Sequence, residues 1–220
     1  MIRGVVTDAT SGAPLPGAVI RVDRTEGLPL TATANASGRY VLITPDLPDF
    51  FAVSVSHDGY VPDAVNVASD ELRRGTVTRD FHLDPMRHDV IAIEAVPEVH
   101  HLGNDRFDGR INSRFQRKAE GTIYRAQFEL TPDQLPPYIR RAQIVLMVKG
   151  AQVNNEIRIN GNRLERFLDT APRDGSFGEF LAEFPVNWLH EGENTLRIKA
   201  VRGDDLDDFE FVNVRIRLNQ

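Results

Sequence analysis

Gly4-Val5-Val6-Thr7-Asp8, then Gly12-Ala13-Pro14-Leu15-Pro16-Gly17-Ala18-Val19-Ile20, and later Ser37-Gly38-Arg39-Tyr40-Val41-Leu42 and Val53-Ser54-Val55-Ser56-His57-Asp58-Gly59-Tyr60-Val61-Pro62 decide how this chain is read. Each stretch joins a short run of strand-forming residues to turn chemistry. Pro16-Gly17 turns the chain ahead of Ala18. Asn35-Ala36-Ser37-Gly38 makes a hairpin-like turn before Tyr40, and Asp58-Gly59 turns it again before Tyr60. Short strands punctuated in this way predict a small β-sandwich. Nothing in these stretches is catalytic.

Working outward, period-two alternation recurs and helical periodicity is nearly absent. Ala18, Ile20 and Val22 alternate with Val19, Arg21 and Asp23; Phe51, Val53 and Val55 alternate with Ala52, Ser54 and Ser56. Val212, Val214, Ile216 and Leu218 alternate with Asn213, Arg215, Arg217 and Asn219, which predicts a half-buried strand with its polar face outward. Ile157 and Ile159 alternate with Arg158 and Asn160 before the tight-turn pair Asn160-Gly161. Leu196, Ile198 and Ala200 follow the turn-like Glu191-Gly192-Glu193-Asn194, and Ile144 to Val148 reads as a central strand buried on both faces. Only single helical turns are predicted, around Asp70 to Arg74, Thr131 to Leu135 and Val186 to Leu189. The chain is therefore expected to be all-β, as two tandem antiparallel β-sandwiches. The boundary is placed at the polar, proline-bearing stretch Asp84 to Asp89, giving domains 1–85 and 86–220.

Of the 220 residues, 41% are hydrophobic, enough for two small cores. The net charge of -6 divides into 7 basic and 11 acidic residues up to Met86, and 19 and 21 beyond it. Neither part has the basic excess that non-specific nucleic-acid binding requires. The absence of cysteine removes disulfides, thiolate zinc sites and cysteine nucleophiles. No apolar run approaches the roughly 20 residues of a membrane span, and the first residues lack signal-peptide patterning. Opening in a strand at Ile2, the chain reads as a mature or excised part of an exported protein. Its expected place is extracellular or periplasmic, with the cytosol left open.

On Gly4 through Asp8, the Pro14-Leu15-Pro16-Gly17-Ala18 turn, Gly38-Arg39-Tyr40 and Gly59-Tyr60, residues 2 to about 84 resemble the carboxypeptidase regulatory-like domain, a transthyretin-like sandwich of about seven strands. The resemblance implies a folding or spacing module beside enzymes or receptors, and no active residues. Residues from about 87 resemble, more loosely, the galactose-binding-like jelly roll of many carbohydrate-binding modules. That resemblance rests on Ile157-Arg158-Ile159-Asn160-Gly161, on Phe184-Pro185-Val186, Trp188-Leu189 and Glu191-Gly192-Glu193-Asn194-Thr195-Leu196-Arg197-Ile198, and on a closing strand from Asp207-Asp208-Phe209 to Leu218.

Candidate chemistry is sparse. The acidic run Asp204-Asp205-Leu206-Asp207-Asp208 is the densest set of hard oxygen ligands, and galactose-binding-like domains often hold a structural calcium there. Asp207, Asp208 and Glu94 are its expected ligands, with Asp105 or Asp108 as alternates; a solvated turn is the plainer reading. His100-His101 sit next to each other in a strand, so they point to opposite faces and cannot easily chelate one ion. His190-Glu191 begins like a zinc-peptidase motif, but the second histidine is missing. Asn35-Ala36-Ser37 is a glycosylation sequon, and Arg202-Gly203-Asp204 is best read as chance. Trp188 is read as a core plug rather than a sugar platform.

Two glycan sites compete. One is a sheet face carrying Arg110, Asn112 and Arg114. The preferred one is a loop set of Arg173, Asp174 and Phe177, joined by Asn104 and Asp105, because it combines a donor, an acceptor and an aromatic within a few residues. With no nucleophile elbow, phosphate loop or dinucleotide motif, the expected function is a non-catalytic accessory binding or spacer protein of the cell surface or periplasm. Its expected partner is carbohydrate or an envelope protein. The alternatives are a structural or protein-interaction module of an envelope assembly or adhesin, and a fragment of a polysaccharide-degrading enzyme.

Overall fold

The structure is a computed structural model describing residues 1–44, 47–106, 114–135, 139–201 and 206–219. Asp108, Arg110, Asn112, Asp204 and Asp205 lie outside the described residues, as does the Arg202-Gly203-Asp204 tripeptide.

The first sandwich comprises β1 (Ile2–Asp8), β2 (Val19–Val22), β3 (Leu30–Thr33), β4 (Arg39–Leu42), β5 (Phe50–Ser56), β6 (Asp63–Ala68), the short helix α1 (Ser69–Arg73), β7 (Val77–Thr78) and β8 (Phe81–Leu83). One sheet runs β3-β2-β5-β6. The other places β4 on one side of β1 and both β7 and β8 on the other. The last two pair with β1 in parallel, Ile2 with Val77 and Val6 with Phe81. This sheet is thus mixed, and not wholly antiparallel as the sequence suggests. The crossover through β6 and α1 brings the chain back along β1 in the same direction, which a hairpin cannot do. Ile2, Val6, Ile20, Tyr40, Phe51 and Phe81 are among the buried core side chains.

The motif residues of this sandwich serve its architecture. Gly38 adopts φ +70, and a Cβ there would meet the Val6 carbonyl oxygen at 2.5 Å, so only glycine fits beside β1. The Tyr40 hydroxyl donates to the Arg79 carbonyl (2.7 Å), and the Tyr60 hydroxyl to Asp8 (2.8 Å). Asp8 also accepts from the backbone of Thr10 and Ser11.

The second sandwich comprises β9 (Val90–Ala92), β10 (His100–Leu102), β11 (Ile123–Leu130), β12 (Arg141–Lys149), β13 (Glu156–Ile159), β14 (Asn162–Arg163), β15 (Gly178–Pro185), β16 (Gly192–Lys199) and β17 (Phe209–Asn219). Its sheets run β10-β17-β12-β15, with β9 also on β17, and β11-β16-β13-β14. Counted from β10, these orders are first-eighth-third-sixth and second-seventh-fourth-fifth, the strand arrangement of a jelly roll. Asn160 (φ 47) and Gly161 (φ 83) form the predicted two-residue hairpin turn between β13 and β14. The buried Asn194 side chain ties the Glu191-Gly192 turn by donating to the carbonyls of His190 (2.7 Å) and Gly192 (2.9 Å).

The two sandwiches meet face to face across a seam. Ala52, Ala64, Val99, Phe177 and Val212 form a third buried apolar cluster there. The alternation read along β5 holds, but its small-residue face is not open to water: Ala52, Ser54 and Ser56 are covered, and Ser54 donates to the Pro97 carbonyl (2.9 Å). Small side chains allow this close approach. The alternation read along β17 breaks. A bulge between the pairs Val145–Arg215 and Met147–Val212, with Asn213 at φ 59, flips the phase. Val214, Ile216 and Leu218 enter the jelly-roll core, whereas Val212 turns to the seam.

Charged and polar groups bridge the seam, most of them hydrogen-bonded there, although Glu210 Oε2 meets only the charge of Lys149. Beyond the Arg21–Ser54 pair, β2 leaves β5, and the Gln116 carboxamide takes its place. It accepts from the Ala52 amide (2.8 Å) and donates to the carbonyls of Asp23 (2.9 Å) and Ala52 (3.2 Å). The buried Asp23 carboxylate accepts from the Val99 amide (2.9 Å) and pairs with Arg21 (2.7 Å) and Arg117 (3.4 Å). Lys149 and Glu210, both 0% exposed, face each other on β12 and β17 at 3.5 Å. Lys149 Nζ donates to the carbonyls of Phe50 and Arg114, one from each sandwich.

Candidate functional site

The loop set predicted from sequence separates in the structure. Phe177 is 5% exposed and belongs to the seam, its amide donating to Asn66 (3.0 Å) and its ring lying 5.6 Å from Lys149 Nζ. It lines no groove. The apolar ring expected to stack on a sugar is instead drawn into contact with the first sandwich, which its local sequence does not reveal. Asp174 caps its own turn by accepting from the backbone and hydroxyl of Ser176, and these bonds lower its pKa. Arg173 borders an opening, of about 500 Å³, beside Asp169, Thr170 and Gln152. The amides of Asn104 and Asp105 donate to Asp208 (2.9 and 2.8 Å), and no hydrogen bond or ion pair joins them to Arg173 among the described residues.

The three expected calcium ligands are engaged separately. Asp207 accepts from the amide of Gln152 (2.9 Å) and from the side chain of Asn155 (2.6 Å). Asp208 accepts from Asn104, Asp105 and His101. Glu94 meets His100 (2.7 Å) and the Tyr124 hydroxyl (2.7 Å). Among the described residues no group of three His, Cys, Asp or Glu is placed to hold a metal ion. His100 and His101 do point to opposite faces. His100 is clasped by Glu94 and Glu120 (3.0 Å), whereas His101 lies against Asp208 and the Phe115 ring. Burial opposes the charge of His100, but the hydrogen bonds and attraction of the two glutamates prevail and raise its pKa to about 9.

The site the structure does assemble is on the open outer face of β11, β16, β13 and β14. The inward residues of these strands, among them Phe128, Leu196, Ile198, Ile157 and Ile159, fill the core. Their neighbours therefore point out. Register then aligns four arginines in one row: Arg125 opposite Arg197, Arg197 opposite Arg158, and Arg158 opposite Arg163. The row on one side is neutral, Gln127 opposite Thr195, with Glu129 opposite Glu193 beyond it; the row on the other side places Lys199 between Ile123 and Glu156. A groove of about 470 Å³ runs over this face, bordered by Arg125, Gln127, Arg158, Gly161, Thr195 and Arg197.

The row is unevenly tied down. Arg158 donates to Glu156 (3.3 Å) and to the Gly161 carbonyl (2.9 Å), and Arg163 lies over the Phe167 ring at 5.0 Å. Arg125 and Arg197 have no hydrogen-bond or ion-pair partner among the described residues, and Nε of Arg197 is buried with its proton unmet. In the sequence Arg158 and Arg197 stand out only as parts of fold markers. Their alternation with core residues is visible there, and the alignment of positions 125, 158 and 197 is not. Trp188 is half-buried, stacks on Phe184 at 5.9 Å and packs against the core, yet it also edges a smaller opening of about 360 Å³ with Arg140, Arg141, Glu165 and Glu183. There Arg141 and Glu183 already pair with each other (2.6 Å).

Residues 1–84 match the family described as the carboxypeptidase regulatory-like domain, which covers the first sandwich. No curated protein matches the chain. Similar solved structures include Klebsiella pneumoniae 5-hydroxyisourate hydrolase, at 15% identity over 39% of this chain and 91% of that one, with a TM-score of 0.31. A family 35 carbohydrate binding module from Clostridium thermocellum aligns at 14% identity over 58% of this chain and 96% of that one, with a TM-score of 0.30. The Bacillus cereus major pilin subunit BcpA aligns at 10% identity over all of this chain, which spans 58% of the pilin, with a TM-score of 0.27. Likenesses of this size carry no argument about what the chain does.

Proposed function

We propose that this chain is a non-catalytic accessory module of the cell surface or periplasm, binding carbohydrate on the open sheet of its second sandwich while the first sandwich serves as a rigid mount. The observation that supports this is the groove over β11, β16 and β13, where guanidinium, carboxamide and hydroxyl groups share a face of a regular sheet. Sugar hydroxyls need such paired donors and acceptors, held by elements that do not move. The buried seam favours a second reading, that the chain is a stiff structural or protein-interaction module of an envelope assembly.

A glycan array probed with the whole chain and with the R125A/R197A variant separates the readings. Binding that the double variant loses supports the open sheet. Binding that it retains moves the site to another opening, such as the one beside Trp188. An empty array leaves the structural reading, and polysaccharide turnover by the purified chain would replace both with an enzyme.

A further inference from the structure

We infer that the ligand of the open sheet is an acidic polysaccharide whose carboxylates are gripped by Arg125, Arg197 and Arg158; this rests on the carbohydrate reading above. Cross-strand like charges repel, so a row of arginines directly opposite one another destabilises the sheet that carries it. The fold does not require that repulsion, since polar uncharged residues fill the next row at Gln127 and Thr195. An anion seated along the row would relieve it. The buried, unmet Nε of Arg197 points the same way, because a donor removed from water without an acceptor costs free energy until a ligand supplies one.

The lining residues narrow the chemistry further. None of the groove-lining residues is aromatic, so a neutral sugar finds no ring on which to stack its C–H face. Guanidinium is planar and offers paired N–H donors that match a planar carboxylate two to one. Neighbouring strands stand roughly 4.8 Å apart, so the three side chains form a regularly spaced line rather than a single pocket. That suits a chain bearing acid groups at intervals. The positive row is also local: the whole protein carries a net charge of -6, which repels bulky polyanions at a distance and selects for a strand thin enough to lie in the groove.

The test uses the whole chain with polygalacturonate and alginate oligosaccharides, the same oligosaccharides after chemical reduction of their carboxyl groups, and single-stranded DNA of similar charge, by calorimetry. Binding to at least one acidic oligosaccharide is expected, weakened tenfold or more by R125A/R197A and by carboxyl reduction, and several-fold by R197K, which keeps the charge but loses the fork. Equal affinity for the reduced oligosaccharides would overturn the acidic-ligand inference and leave the carbohydrate reading standing. Equal affinity for DNA would overturn it in favour of a general polyanion surface. If neither acidic nor reduced oligosaccharides bind and the glycan array is empty, the carbohydrate reading itself fails.

Discussion

The outer faces of the two sheets of the second sandwich carry charge in opposite conditions. On β12 and β17, Lys149 and Glu210 are cross-strand neighbours without exposure, and each also meets backbone groups supplied by the opposite wall of the seam or its border. On β11, β16 and β13, Arg125, Arg197 and Arg158 are cross-strand neighbours of one sign, two of them without partners among the described residues. Both faces are outward rows of the same alternating pattern. The covered row behaves as structure, because a buried charge must find its complement within the protein. The open row keeps unspent hydrogen-bonding capacity that a ligand can meet.

The sharpest way to break this comparison is to remove one member of the covered pair. K149M should destabilise the chain by about 3–5 kcal/mol, since it leaves Glu210 buried without its counter-charge. K149M/E210Q should recover part of that loss. Burial already pushes the lysine pKa down and the glutamate pKa up, and the attraction between the two opposes that push. Urea denaturation measures both variants; a K149M chain as stable as the parent would show that the pair does not hold the seam.

A somewhat smaller effect is expected from pH. His100 has a folded pKa of about 9 against an ordinary value of 6.5, because Glu94 and Glu120 hold its proton. A group whose pKa rises on folding stabilises the native state below its unfolded value, and that contribution fades as pH climbs through the folded one. Between pH 6.5 and pH 9 stability should therefore fall by about 3 kcal/mol, since a tenfold change in proton affinity is worth about 1.4 kcal/mol. H100Q should start lower at pH 6.5 and show a flatter profile across that window. A parent profile as flat as that of H100Q would refute the clasped imidazolium.

The smallest effect belongs to the open face. R125A and R197A should each change stability by no more than about 0.5 kcal/mol, with any change favourable as like-charge repulsion is relieved. A loss above roughly 1.5 kcal/mol in thermal or urea unfolding would place these arginines in the structural framework and erase the contrast between the faces.

The strands, their inward residues and several turns are legible in the sequence because they are local. Alternation marks Ile157 and Ile159 as core, Asn160-Gly161 as a turn, and Gly38-Arg39-Tyr40 as part of a regulatory-like sandwich. Phe177 reads wrongly as a binding residue because its neighbours Arg173, Asp174 and Gly175 look like an exposed loop. Nothing within ten residues announces that β6 and its Asn66 lie across from it. Val212 falls in the wrong layer because a one-residue bulge at Asn213 reverses the phase without changing the pattern of residue types. Asp207 and Asp208 look like calcium ligands because acidic residues cluster in sequence there, and Glu94 joins them only through the resemblance to galactose-binding-like domains; in space the three carboxylates turn to different donors.

By itself the sequence determined that this chain is all-β, where its strands turn, and which side of each strand is apolar, because side-chain alternation and turn chemistry act over a few residues. Tertiary structure alone decided which outward faces stay outward. Strand register is set by hydrogen-bond ladders between segments tens of residues apart, so it alone could line up positions 125, 197 and 158. Docking of the first sandwich is set by the fit of small side chains at Ala52 and Ala64 against Val212 and Phe177, so it alone could bury one polar face and leave the other to solvent.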